Sequence, residues 1–418
     1  NDHLYESEID IFFRRLITPN IENKIRIARY LAIREDELKK IQKEQYQFLD
    51  QLKHWKKAFI EGSAGSGKTY LAIRKATQSI NSGRKTLFLC YNRDLRDFVK
   101  NKIDSELLPY PSIKKRYRIN TIHQFFINFI KNVLPLEKGR DLTEKLLNFE
   151  VDLVLEEIEK LLPEIIIPVS FLFETIIIDE GQDIEIRFWP LLNIFFKDLN
   201  NLIYYVFYDP SQSLFVKDFD YKSAGFQDPL FLPRNIRNTS RISSWYVDKT
   251  RLGDYKSLSR IRGLEVKEVH KNSPRKGLIY ILKTIVNEYL KANILIENMI
   301  ILSDRRLENL NCETKSKDNS KFIKFNSYKD QTNFPFIIIQ QERLREKTFF
   351  PDAKHILQFR TINSFKGLER EIVFLLIQEN NKNCEKNDKN QQLVSLYVGE
   401  SRAKFILYII YYKSTNEN

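Results

Sequence analysis

The sequence predicts an α/β protein with two domains, each built around a parallel β-sheet. Short apolar segments, typical of buried strands, alternate with helical stretches from residue 57 onward. This alternation indicates βαβ units, whose strands run parallel. The alternation restarts between residues 228 and 240, so we predict one domain over 56–234 and a second over 235–418. A chain of 418 residues is long enough for both.

Each element is predicted from its local pattern. Residues 1–55 are predicted to be a helical segment, because apolar residues recur three and four positions apart with Lys and Glu between them. An acidic amphipathic stretch within about 125–170 indicates a helical insertion in the first domain. Polar stretches at 311–321 and 379–392 indicate surface loops. Strands are predicted at Ala58–Ile60, Thr86–Cys90, Thr175–Ile178, Ile203–Phe207, Gly277–Leu282, Met299–Leu302, His355–Phe359, Ile372–Ile377 and Phe405–Tyr411.

The composition is compatible with a polyanionic partner. The net charge is +13, from 68 Lys and Arg against 55 Asp and Glu. An AT-rich genome would produce the same bias toward Lys, Ile and Asn, so charge alone leaves nucleic acid binding open. Three scattered cysteines are too few for a disulfide framework and favour a reducing, cytoplasmic location. No apolar run approaches membrane-spanning length and no signal peptide is recognisable, so no membrane partner is expected.

A phosphate-binding loop is the strongest functional signal. Residues 62–69 read Gly-Ser-Ala-Gly-Ser-Gly-Lys-Thr, between an apolar strand and a helix-forming run. In such a loop the backbone N–H groups surround the phosphates of a nucleotide, in front of the positive end of the helix dipole. Lys68 would reach the β- and γ-phosphates, and the Thr69 hydroxyl would hold Mg²⁺. We therefore predict nucleoside triphosphate binding by Gly62, Ser63, Ala64, Gly65, Ser66, Gly67, Lys68 and Thr69.

Two adjacent carboxylates form the second signal. Asp179 and Glu180 follow the apolar strand Thr175–Ile178, at the end where ligands bind in open α/β sheets. Asp179 is predicted to hold Mg²⁺, and Glu180 to act as the general base toward an attacking water. The structural alternative is an acidic strand-to-helix turn.

Together these motifs resemble superfamily 1 helicases of the UvrD/Rep type, and further motifs follow in that family's order over most of the chain. The resemblance implies two RecA-like P-loop NTPase domains, with ATP and Mg²⁺ as cofactors and single-stranded DNA favoured over RNA as partner. It implies that the Gln45 side chain recognises adenine, which selects ATP, and that Glu369 contacts the ribose of the nucleotide. It also assigns Gln212, Arg237 and Arg402 to the γ-phosphate. The implied nucleic acid contacts are Asn92, Arg93, Thr121, His123, Phe125, Asn363 and Ser364.

The sequence departs from the family pattern in several places. Ile236 stands where an aromatic residue usually stacks on adenine, and Tyr70 is predicted to substitute for it. The Trp-Arg-Gly-Ala segment expected after Gln212 is missing, which removes one base-stacking platform. The spacing between motifs leaves no room for large accessory domains. The chain therefore resembles a helicase motor that consists of the two RecA-like domains alone.

The leading hypothesis is therefore an ATP-driven translocase or helicase on single-stranded DNA. A narrower resemblance, to the helicase half of proteins with a nuclease-related (NERD) domain, supports a second hypothesis. In that case the chain is a regulatory, DNA-dependent ATPase that gates a nuclease or antiviral defence effector, in cis or in trans. A phosphate-loop kinase or GTPase is the third alternative.

Overall fold

The computed structural model describes most of the chain from residue 55 onward. The described residues are 55–107, 111–148, 150–184, 188–212, 226–232, 235, 237–252, 262–292, 294–310, 322–323, 337–340, 356–379 and 386–413. The predicted helical segment 1–55, with Gln45, lies outside these residues except for its last position. The predicted loop 311–321 also lies outside them.

The first half of the chain forms a six-stranded, fully parallel sheet in the order β3-β2-β4-β5-β1-β6. Strand β5 therefore lies between the strand before the phosphate loop and the strand before Asp179, so both segments end at one edge of the sheet. In chain order the elements are β1 Lys57–Gly62, α1 Lys68–Asn81, β2 Thr86–Cys90, α2 Arg93–Glu106, α3 Pro111–Lys114, β3 Tyr117–Thr121, α4 Ile122–Val133, α5 Leu136–Leu147, α6 Val151–Leu161, β4 Thr175–Ile178, α7 Phe188–Leu192, β5 Ile203–Tyr208 and β6 Leu230–Leu232.

The second half forms a seven-stranded sheet in the order β7-β13-β12-β8-β11-β10-β9. All neighbouring strands are parallel except β9, which runs antiparallel to β10. The elements are α8 Ser240–Thr250, β7 Lys267–Lys271, α9 Pro274–Thr284, β8 Met299–Ser303, β9 Phe322–Ile323, β10 Ile337–Gln340, β11 Ile356–Thr361, β12 Arg370–Gln378, α10 Lys386–Glu400 and β13 Ala403–Tyr412. The chain thus has the predicted α/β fold, with two RecA-like domains, and the predicted boundary at 235 falls between the two sheets.

The core lies on both faces of each sheet. On the first sheet, α1 and α2 cover one face, while α4, α5 and α6 cover the other with an aromatic cluster that includes Phe125, Phe126 and Phe129. These three helices occupy the region predicted as a helical insertion. They are part of the domain core, because their apolar faces complete the cover of the sheet.

Two sequence predictions in the second domain were wrong. The segment Gly277–Leu282 is helical, within α9, and is not a strand. Ser273 caps this helix by accepting a hydrogen bond from the Lys276 N–H, and Pro274 occupies its first turn. The apolar positions Leu278, Ile281, Leu282 and Ile285 then recur at helical spacing and are all buried.

The second wrong prediction is the loop at 379–392, because helix α10 already begins at Lys386. Buried Tyr397 and Val398 anchor this helix at its far end, so its polar first turns extend a helix fixed elsewhere. Within the described part of the chain, no helix is both long enough and apolar enough to cross a membrane.

Candidate active site

The phosphate loop joins β1 to α1 in a shape that only glycine tolerates. Gly65 and Gly67 have φ values of 81° and 88°, in the left-handed region that side chains disfavour. A Cβ on Gly65 would lie 2.5 Å from Asn235 Oδ1, so the loop packs directly against the start of the second domain. Gly67 precedes α1, and no side chain caps this helix. The N–H groups of its first turn therefore face the loop, as anion binding at a helix start requires.

The Lys68 ammonium is buried beneath this loop. It donates to the carbonyl oxygens of Gly62 at 2.7 Å and Ser63 at 3.1 Å. It also forms an ion pair with Asp209, at 3.4 Å, whose carboxylate is fully buried. These contacts hold the Lys68 ammonium against the loop, where a bound phosphate would contact it.

Asp179 and Glu180 lie at the end of β4 and are both buried. Burial and the neighbouring charge of Glu180 raise the pKa of Asp179 to about 7. Burial acts to raise the pKa of Glu180 as well. The positive charges of Lys68, Lys366 and Arg402 outweigh burial, so the pKa of Glu180 is lowered. Glu180 therefore stays ionised at neutral pH, as a general base must.

The residues around Asp179 fit a magnesium ion. Its Oδ2 atom is buried and accepts no hydrogen bond from any residue that the structure describes. The Thr69 hydroxyl lies near the same carboxyl group and acts to lower its pKa. An unsatisfied carboxylate oxygen beside a hydroxyl is a donor set that Mg²⁺ prefers, with phosphate oxygens and water completing its shell. Bound there, Mg²⁺ would neutralise charge on the phosphates.

A hydrogen-bonded relay links these groups to the second domain. The Gln182 side-chain amide donates to Glu180 at 2.5 Å, and its oxygen accepts from the Asp209 N–H at 3.0 Å. The Gln212 amide donates to Asp209 at 2.6 Å, and its oxygen accepts from Arg402 at 3.0 Å. Gln212 and Arg402, both predicted to contact the γ-phosphate, are therefore in direct contact. We call this junction of the two domains, lined by Lys68, Glu180, Gln212 and Arg402, the cleft.

Among the residues that the structure describes, Arg402 is the largest fully buried side chain, and it belongs to the second domain. Its position is set by α10 and β13, between which it lies, and its Nε donates to the Val398 carbonyl. Burial, together with the positive charge of Arg237, lowers the pKa of Arg402 to about 10. The guanidinium remains charged at neutral pH and close to Glu180, which suits a group that stabilises negative charge.

Arg237 and Glu369 pair with each other. The Arg237 Nε atom lies 2.6 Å from Glu369 Oε2, and Lys404 lies 2.8 Å from the other oxygen of the same carboxylate. Although burial opposes it, the attraction of both cations lowers the pKa of Glu369 to about 2. Tyr70 lies near this cluster, with its ring packed edge-on against Phe98 at 6.2 Å. The roles predicted for Arg237, Glu369 and Tyr70 toward nucleotide remain predictions.

The two domains are also joined by buried ion pairs that the sequence analysis did not identify. Lys366 lies 2.6 Å from Asp183, and both side chains are at least 94% buried. Arg360 lies 2.7 Å from Asp94, with side chains 3% and 8% exposed. Lys366 and Asp94 lie within sequence motifs that the family resemblance covers, but no role was predicted for either side chain. Arg360 carried no signal.

The residues predicted to contact nucleic acid lie in different environments. Arg93 and Asn363 are exposed, and Ser364 and His123 are partly buried. Asn92 begins α2 by accepting from the Leu95 N–H, and its amide donates to the Lys366 carbonyl of the second domain at 2.8 Å. The Thr121 hydroxyl similarly accepts from the Gln124 N–H to begin α4.

Phe125 differs from the other predicted contacts. Its ring is fully buried and packs against Phe126, Phe171 and Phe195, with the Phe195 ring centre 4.8 Å away. A base cannot reach this ring in the structure, so its placement speaks against the predicted contact. The helical spacing of Phe125, Phe126 and Phe129 was the signal for a core position.

Comparison with known proteins finds similarity over part of the chain. The family described as "Type III restriction enzyme, res subunit" matches residues 31–181, a region that contains the phosphate loop and Glu180. No curated protein matches the sequence. One similar solved structure is the arterivirus nonstructural protein 10 (helicase), with a TM-score of 0.38 and 11% identity over 85% of this chain and 59% of that chain. Another is the same protein with DNA, with a TM-score of 0.39 and 11% identity over 85% and 60%. This chain therefore spans less than two thirds of those structures.

Proposed function

We propose that this protein is an ATP-dependent translocase or helicase on single-stranded nucleic acid, with DNA as the preferred substrate. The relay from Lys68 through Asp209 and Gln212 to Arg402 carries this proposal. It connects the phosphate loop of one domain to an arginine of the other, so a nucleotide between them would be sensed by both domains. A kinase or GTPase built on one sheet has no need for such a connection.

Each group in the cleft has a chemical task in ATP hydrolysis. Lys68 and the loop N–H groups bind the phosphates, and Glu180 takes the proton of the attacking water. Arg402 stabilises the charge that develops on the transferring phosphate, a role typically worth about 10³–10⁵ in rate. Gln212 reports the occupancy of the site to Arg402, because its amide contacts both domains.

Movement on a strand would follow from opening and closing of the cleft. Arg93 follows Asn92 directly, and Asn363 lies shortly before Lys366, so both are close in the chain to the Asn92–Lys366 hydrogen bond that joins the domains. A strand bound there would contact both domains. Two domains that grip alternately are sufficient for translocation. The finer assignment to the UvrD/Rep type, and the link to NERD-domain proteins, rest on the motif resemblance.

The decisive experiment measures ATP hydrolysis with and without an oligo(dT) strand. We expect strong stimulation in the wild type and its loss in Glu180→Gln, which keeps the side-chain shape but removes the base. Glu164→Gln, the same change at an exposed position, serves as the matched control. Hydrolysis that no nucleic acid stimulates would refute the motor, and normal turnover by Glu180→Gln would refute the assignment of the base.

A regulatory ATPase is the second candidate. It is favoured by the similarity of residues 31–181 to a family described as a subunit of a restriction enzyme. In that case ATP and DNA would change the affinity for an effector, without sustained movement. A streptavidin-displacement assay on a biotinylated oligonucleotide distinguishes the two functions. A translocase removes the streptavidin, whereas a regulatory ATPase leaves it bound.

A further inference from the structure

Asn238 carries a fully buried amide that has no role in the chemistry described above. It lies two residues before helix α8, and its Nδ2 atom donates to two backbone carbonyl oxygens of the second domain. One carbonyl belongs to Ser401, at 2.9 Å, and the other to Ala403, at 2.6 Å. These two residues flank Arg402, so a single side chain holds the backbone before and after the arginine.

The turn that carries Arg402 depends on donors from outside it. Helix α10 ends at Glu400 and strand β13 begins at Ala403, so Ser401 and Arg402 connect the two elements. The carbonyl of a residue just past the end of a helix has no partner within that helix. Ser401 and Ala403 are both fully buried, so a protein donor has to take the place of water. Leaving a buried carbonyl without a donor costs about 1–3 kcal/mol.

A second asparagine orients this amide. The Asn235 Nδ2 atom donates to Asn238 Oδ1 at 2.7 Å, which leaves the Asn238 nitrogen to face the two carbonyl oxygens. The Asn235 Oδ1 atom accepts from the backbone N–H groups of Arg237, at 3.0 Å, and Asn238, at 3.1 Å. The two asparagines also border the phosphate loop, because a Cβ on Gly65 would lie 2.5 Å from Asn235 Oδ1 and 2.8 Å from Asn238 Oδ1. One hydrogen-bonded pair therefore fixes the turn that carries Arg237 and the amide that holds the turn of the other arginine.

We propose that Asn238 is a positioning residue for Arg402 in ATP hydrolysis. This inference rests on the proposed function, because it requires the arginine to act on a phosphate. The Arg402 guanidinium contacts Gln212 at 3.0 Å, so a shift of the Arg402 Cα atom would carry the charge away from this contact. A displacement of about 1 Å at a reacting group can cost about 100-fold in rate. The Asn238 amide opposes such a shift from both sides of the Cα atom.

The test is a double-mutant cycle on the kcat and KM of ATP hydrolysis, measured with radiolabelled ATP at saturating oligo(dT). Asn238→Ala should lower kcat about 10- to 100-fold. It should leave the KM for ATP within about twofold, because the lost interaction acts in the transition state. Arg402→Ala should lower kcat about 1000-fold or more. Adding Asn238→Ala to Arg402→Ala should then change kcat by less than about twofold, because Asn238 acts only through the arginine.

Folding is checked separately, because Asn238 is buried. Tyr246→Phe is the matched control, since it removes a hydroxyl that accepts from Asn235 at 2.5 Å but leaves both flanking carbonyls with their donor. It should keep the kcat of the wild type. Circular dichroism and the affinity for a fluorescent ATP analogue should match the wild type in every variant. If Asn238→Ala unfolds, Asn238→Ser takes its place, because a serine hydroxyl has one proton and can donate fully to only one carbonyl.

The outcomes separate the positioning role from the proposed function. An unchanged kcat in the Asn238 variant would refute the positioning role while leaving the motor intact. A loss that persists in full in the Arg402→Ala background would also refute it, because Asn238 would then act by another route. The same holds if KM rises while kcat is unchanged, or if Tyr246→Phe loses as much kcat as the Asn238 variant. A wild-type protein that hydrolyses no ATP would overturn the proposed function itself, and the positioning role with it.

Discussion

The Glu400 carboxyl group is completely buried in the second domain, two residues before Arg402. Burial raises its pKa from 4.5 to about 8, although Trp245 and Lys249 partly oppose this shift, and Glu268 adds to it. In the unfolded chain the group releases its proton above pH 4.5, whereas the folded protein holds the proton up to about pH 8. Unfolding between these values releases a proton, so the stability from this group falls as pH rises.

The size of this effect follows from the two pKa values. Between pH 5 and pH 7, the free energy of unfolding should fall by about 2–3 kcal/mol through Glu400 alone, since each full unit of pKa difference corresponds to about 1.4 kcal/mol. Glu400→Gln keeps the shape and removes the titration, so this part of the pH dependence should disappear in the variant. The change in pH dependence, and not the stability at one pH, is the diagnostic quantity.

Urea unfolding at pH 5 and pH 7, followed by circular dichroism, measures this quantity. Glu265→Gln is the matched control, because the same chemical change is made at a side chain that is 81% exposed. It should retain the pH dependence of the wild type. If Glu400→Gln also retains it, the carboxyl group is already ionised in the folded protein and the reasoning from burial is wrong.

Three further predictions concern the cleft. Gly65→Ala should abolish binding of a fluorescent ATP analogue, because the left-handed backbone costs about 1–2 kcal/mol and the new Cβ would collide with Asn235. Gln212→Ala should keep the affinity for oligo(dT) in anisotropy assays but lose the stimulation of ATP hydrolysis, since the amide joins the two domains. Arg360→Met should disfavour the closed arrangement by about 3–5 kcal/mol, because Asp94 is left buried without its partner. Small-angle X-ray scattering would then show a more extended particle.

Two of these predictions have a matched control variant. Gly83→Ala also changes a glycine of positive φ, but at a site where the nearest heavy atom to the new Cβ is 3.5 Å away, so nucleotide binding should survive. The double variant Arg360→Met with Asp94→Leu should again favour the closed arrangement of the domains, since no uncompensated buried charge remains. If the single and double variants scatter alike, the pair does not hold the domains together. If Gln212→Ala keeps its stimulation, the relay is not the coupling path.

The sequence predicted four of the six strands of the first sheet and missed β3 and β6. Fully buried parallel strands need continuous apolar runs, so Thr86–Cys90 and Thr175–Ile178 could be identified with their observed bounds. The same rule failed for Gly277–Leu282, because a short apolar run also suits a buried helix. Ser273 as the N-cap and Pro274 in the first turn were the local evidence that this segment is a helix.

By itself, the sequence determined which local segments carry chemistry. The phosphate loop and the Asp179–Glu180 pair depend on residue types and spacing within a few positions of one another, which the chain specifies directly. Only the tertiary structure decided that Gln212 contacts Arg402, that Lys366 pairs with Asp183, and that Phe125 is buried. These outcomes depend on how two separate sheets pack, and a contact between residues about 180 positions apart leaves no periodic or local trace in one sequence.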